Sequence, residues 1–111
     1  MAYDEELANR LREELAGEKN VTEKAMFGGL AFLINGNMSV SASGRGGLMV
    51  RVGPEASDDA LARPHTELMV MRGRPMPGWI RVADEGIRTK RQLTPWVRRG
   101  VEYARSLPPK R

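Results

Sequence analysis

Five apolar residues, Leu30-Ala31-Phe32-Leu33-Ile34, run straight into Asn35-Gly36, after which Met38, Val40 and Ala42 alternate with Ser39, Ser41 and Ser43. An Asn-Gly pair accepts the positive φ angles of a type I′ turn, so this stretch reads as a β-hairpin. Its first strand is apolar on both faces and therefore interior to a sheet, whereas the serine alternation predicts one buried and one wet face for the second. The neighbouring sequence continues in the same short units. Lys24–Phe27 reads as a short strand before a Gly28-Gly29 bend, and Ser43–Gly47 as a turn. In the strand that follows, Leu48, Val50 and Val52 point to the core while Met49 and Arg51 point away, and Gly53-Pro54 stops it. Ser57–Ala62 carries an N-cap and an acidic first turn, predicting a brief helix that ends near Pro64. Thr66–Met71 is a strand, Gly73–Gly78 a rigid six-residue connection, and Trp79–Val82 the last strand, paired antiparallel with the one before it.

Helices are expected at both ends. Leu7, Ala8, Leu11 and Leu15 recur at helical spacing within Asp4–Ala16, where Asp4 can cap the start and Gly17 the end. Near the C-terminus Thr94-Pro95 marks a helix start, with Pro95 at the first helical position, and the periodicity runs to about Ser106. Trp96, Val97, Val101, Ala104 and Leu107 line one face, Gly100 allows close approach, and Arg98, Glu102 and Arg105 lie opposite. The fold class is α+β: one antiparallel sheet packed with N- and C-terminal helices. At 111 residues the chain is a single domain, its core spanning about residues 4–107. It contains no internal repeat and no apolar run long enough for a membrane span, and its opening Met1–Glu6 is acidic, unlike a secretory signal. A cytoplasmic location without membrane contact is expected.

The chemistry available is narrow. Absence of cysteine excludes disulfides, thiolate zinc and iron–sulfur sites, and thiol catalysis. The one histidine, His65, has Asp58, Asp59 and Glu67 nearby in sequence, but no second histidine and no HExxH spacing, so a structural role is expected for it. None of the five serines lies in a GxSxG turn, and Gly44-Arg45-Gly46-Gly47 leads into a strand rather than the helix a phosphate loop requires. No catalytic, cofactor-binding or metal-ligating residue is assigned, and no cofactor is implied.

Charge is distributed unevenly. Residues 1–20 hold three basic and six acidic groups, 21–83 seven and five, and 84–111 eight and three. Such a gradient suits attraction of a polyanion to the basic end, or of one copy's acidic end to another's basic end. Arg72, Arg74 and Arg81 lie near Trp79, where they could form an anion or stacking site, and Arg98, Arg99 and Arg105, with Lys110 and Arg111, offer phosphate contacts without a helix-turn-helix partner. Methionines are numerous for so short a chain, and Met49, Met69 and Met71 fall on strand positions opposite the aliphatic core, suited to a face covered by a helix or by another chain.

In order, Met26-Phe27-Gly28-Gly29-Leu30-Ala31-Phe32, Asn35-Gly36-Asn37-Met38, Leu48-Met49-Val50-Arg51-Val52-Gly53 and Gly73-Arg74-Pro75-Met76-Pro77-Gly78-Trp79 resemble the N-terminal domain of the TfoX/Sxy family. The resemblance covers about residues 5 to 107, including the Trp96-Val97 helix. It implies an antiparallel sheet with packed helices, similar in architecture to secretion-chaperone-like folds, in a family of competence regulators that act as transcriptional co-activators rather than enzymes. Those regulators carry a further C-terminal domain, and this chain ends where it would begin, as expected of a stand-alone N-terminal domain. The family supplies no catalytic residue to carry over. The expected function is therefore a non-enzymatic regulatory domain acting through protein contacts, including a homodimer. The alternative is weak nucleic-acid binding through the basic C-terminal helix, with a small-molecule or enzymatic site around His65, Arg72, Arg74 and Trp79 less favoured.

Overall fold

The structure, a computed structural model, describes residues 3–26 and 28–110. Phe27, assigned above to a strand, and Arg111 lie outside the described residues. A helix α1 (Glu5–Glu14) precedes four strands, β1 (Val21–Met26), β2 (Gly29–Ile34), β3 (Asn37–Ala42) and β4 (Leu48–Arg51). A 3-10 turn at Pro54–Ala56 leads into α2 (Ser57–Leu61), followed by β5 (Thr66–Met71), β6 (Arg74–Val82) and α3 (Lys90–Ser106). The strands form one antiparallel sheet in the order β1-β2-β3-β4-β6-β5. This is the α+β architecture expected from the sequence.

The larger core lies between the sheet and all three helices: Leu7, Leu11, Phe32, Ile34, Val50, Ile80, Leu93 and Trp96 are among its buried members. Asp4 caps α1 as expected, its carboxylate accepting from the Glu6 and Leu7 amides at 2.9 and 3.2 Å. Gly100 gives α3 its close approach, because a Cβ there would sit 2.6 Å from the Ser39 carbonyl oxygen. Asn35 and Gly36 both have positive φ, at 52° and 82°, as the hairpin signal requires.

Four expectations are corrected. The serines of β3 are not wet: Ser39 and Ser41 are 0% and 2% exposed. Phe32 opposes Val40 while Leu33 opposes Met38, which leaves Ser39 as an extra residue whose hydroxyl donates to the Phe32 carbonyl at 2.8 Å. That bulge turns Met38 to the opposite side of the sheet from Val40 and Ala42, a switch that strict alternation cannot reveal. Secondly, α3 begins one turn before Thr94. Thr89 and Gln92 form a reciprocal capping box, with Gln92 N–H donating to Thr89 Oγ1 at 3.2 Å and Thr89 N–H to Gln92 Oε1 at 3.0 Å, and Leu93 is buried behind it. Pro95 therefore lies inside the helix, and the Thr94 hydroxyl instead donates to Glu14 of α1 at 2.9 Å.

Thirdly, the connection before Trp79 is mostly strand. β6 begins at Arg74, and the turn is only Arg72-Gly73, with φ of 53° and 77°. The register jumps from Leu68 opposite Ile80 to Val70 opposite Pro75, so Met76-Pro77-Gly78 makes a detour within β6. Gly78 anchors that detour. Its carbonyl accepts from the Val52 and Gly53 amides, and its φ of 88° and a Cβ that would fall 2.6 Å from the Gly53 carbonyl carbon leave room for glycine alone. Finally, Ser57 does not cap α2 through its side chain; it is buried, its hydroxyl donating to the Gly53 carbonyl while accepting from Gly78 N–H.

Candidate interaction surface

The face of the sheet away from the helices carries a second, smaller cluster. Ala31, Met38 and Met49 are buried there, and Met26, Leu33, Met69 and Trp79 pack against them. None of these residues belongs to a helix. Strand alternation explains the assignment: Ala31 and Leu33 point opposite to Phe32, Met49 opposite to Val50, and Trp79 opposite to Ile80. Burial without a helical cover comes from the curl of the sheet. A concavity of about 350 Å³ is lined both by Met26 of β1 and by Met69 and Met71 of β5, the two edge strands, so these ends of the sheet turn toward one another. Three arginines line it, Arg45, Arg72 and Arg81, against one carboxylate, Glu67, which lies 3.8 Å from Arg81.

Trp79 does receive a guanidinium, but from a residue the sequence did not single out. Arg51, opposite Trp79 in the β4–β6 register, stands 4.9 Å from the indole centroid and 5.3 Å from that of Tyr103 on α3. A cation between two aromatic faces is held by their quadrupoles and shielded from water by their bulk. The alternation of β4 placed Arg51 on this side; only the pairing of two strands distant in sequence could place it on Trp79. Arg72 and Arg74 instead flank the exposed Gly73 turn, and Arg81 points its guanidinium toward Glu67 and the Gly46 carbonyl.

The helix arginines divide. Arg99 is bound to Asp59 of α2, and Arg105 to Glu18 at 2.8 Å and to the Lys19 carbonyl at 3.0 Å. The Arg99 guanidinium, by hydrogen bonding to Asp59, holds that carboxyl below its ordinary value; Arg12 does the same for Glu23, and its own pKa is raised in return. Arg98 is exposed beside Lys90 and Arg91 on a shallow surface of α3. The structure thus brings Arg72 and Arg74 together at one turn, and keeps Arg98, Arg99 and Arg105 along one helix, two of them turned to carboxylates. His65 is exposed in the loop before β5, with φ of 64°, and its carbonyl accepts from Ala83 N–H at 2.9 Å. Among the described residues no three histidine, aspartate or glutamate side chains converge as a metal site, and no helix is long and apolar enough to cross a membrane.

The family profile described as the TfoX N-terminal domain matches residues 13–104, most of the chain. The protein belongs to this family. Searches among curated proteins and among solved structures found no match. The TfoX N-terminal match takes in all six strands, α2 and nearly all of α3, but begins at the end of α1, leaving Leu7, Ala8 and Leu11 outside it. Every residue named above on the methionine-bearing face falls within the matched span.

Proposed function

We propose that this TfoX N-terminal domain is a non-enzymatic interaction domain that serves regulation through protein contacts made on the uncovered face of its sheet. The observation that carries the reading is an apolar cluster of flexible methionines lying outside the helical layer, beside a guanidinium-rich rim. Methionine surfaces repack against differing partners at small cost, which suits contact rather than fixed chemistry. A photo-crosslinking residue placed at Val70, beside this face, should give a protein adduct in the source cells, while the same residue at Arg98 on the outer side of α3 should not. Adducts from position 98 alone would contradict the reading.

A second reading, weak nucleic-acid association, draws support from the exposed basic surface of Lys90, Arg91 and Arg98. Contacts of that kind release counterions, so binding should fall steeply with salt and weaken by a similar factor for every sequence tested. A gel shift at low ionic strength that leaves the nucleic acid free removes it.

A further inference from the structure

The two edges of the sheet are not alike. β1 carries Glu23 and Lys24 at its middle, and Arg12 of α1 reaches across to Glu23 at 2.7 Å, so that edge presents charge and a helix contact to any approaching strand. Charged side chains on an edge are what discourages strand addition. β5, in contrast, reads Thr66-Glu67-Leu68-Met69-Val70-Met71, pairs only with β6, carries one charge, Glu67, near its start, and has no lysine or proline on its length. Val70 on it is 57% exposed, the one large apolar side chain so exposed among the described residues.

We propose that β5 accepts an extended segment of a partner protein as a seventh strand, and that the segment alternates acidic with apolar residues. The proposal rests on the interaction reading above and names the partner's chemistry. Strand addition would satisfy the free backbone edge of β5, with the acidic set of alternate side chains turned toward the concavity and its arginines and the apolar set turned to the other face, beside Leu68 and Val70. Arg45, Arg72 and Arg81 outnumber Glu67 at that concavity, which selects carboxylates in the segment and disfavours cations. A second copy of this chain fits less well. Its acidic helix α1 buries Leu7, Ala8 and Leu11 and offers only polar residues outward, and β5 meeting β5 would set two arginine rims side by side.

The test is a titration of the isotope-labelled full chain with three hexapeptides: alternating Asp–Leu, alternating Lys–Leu and alternating Asp–Ser. Saturable amide shifts along β5 and methyl shifts at Met69 and Met71 are expected with Asp–Leu only. Arg72→Glu and Val70→Asp, both exposed and tolerable to the fold, should each weaken that binding about tenfold or more. Equal binding of Lys–Leu, shifts centred on α3, or sedimentation as a dimer that buries β5 would overturn the proposal. Protein adducts from position 70 with no binding of the Asp–Leu peptide would leave the interaction reading standing and remove the acidic strand.

Discussion

One face of this sheet is closed by three helices; on the other, among the described residues, the buried cluster draws on no helix. On the closed side the large side chains are aliphatic and aromatic, Phe32, Ile34, Leu48, Ile80 and Leu93, each 2% exposed or less. On the open side burial depends on Met38 and Met49 at the centre and on half-buried Met26, Met69 and Trp79 around them. The difference separates two tasks: rigid, well-defined rotamers specify the fold, while adaptable thioethers tolerate contact with water and with changing neighbours. Stability is thus concentrated on one face and adaptability on the other.

Substitutions can break that contrast in graded steps. Phe32→Ala, in the closed core, should cost about 3–5 kcal/mol of unfolding free energy in a denaturant titration. Gly78→Ala should cost about 2–3 kcal/mol by forcing a Cβ against the Gly53 backbone, and should alter Trp79 fluorescence because the detour in β6 positions that ring. Met49→Ala, equally buried but bordered by flexible methionines that can collapse into the space, should cost only about 2 kcal/mol. A loss as large as that for Phe32→Ala would erase the distinction between the faces.

Smaller effects sharpen it. Arg72 holds a φ of 53° at the β5–β6 turn, a conformation asparagine adopts more readily, so Arg72→Asn should raise stability by about 0.5–1 kcal/mol while weakening any anionic contact at the open face. The weakest dependence is on pH. Asp59 and Glu23 have lowered carboxyl pKa values in the folded protein, owing to Arg99 and Arg12, so their contribution is present above the usual carboxylate range, about pH 4, and is lost as pH falls through the lowered values. Both pairs brace the helical side: Arg12 joins α1 to β1, and Asp59 joins α2 to α3. The double variant Glu23→Gln, Asp59→Asn should therefore show a slightly flatter acid limb in a plot of melting temperature against pH.

The hairpins explain how far the sequence could be read. Asn35-Gly36 and Arg72-Gly73 share positive φ at both positions, yet only the first announces itself, since asparagine favours that conformation and arginine does not. From sequence the second hairpin therefore reads as a six-residue connection, Gly73–Gly78, of which all but Gly73 is strand. Terminal amphipathic helices were legible from spacing, but Thr94-Pro95 masked the earlier Thr89-Gln92 capping box, whose worth depends on Leu93 reaching the core. At the candidate surface, alternation alone put Met49 and Met69 away from the aliphatic core. The meeting of Met26 with Met69 and of Arg51 with Trp79 arises from the curl and order of the sheet, which join residues remote in the chain.

The most direct test compares methyl groups of the full chain by NMR in the presence of a soluble gadolinium chelate. Methyls of Met26, Met69 and Met71 should relax rapidly, those of Leu11 and Ile34 should remain sharp, and Met38 and Met49 should lie between. Uniform protection of all the methionines in the dilute monomer would contradict an open face.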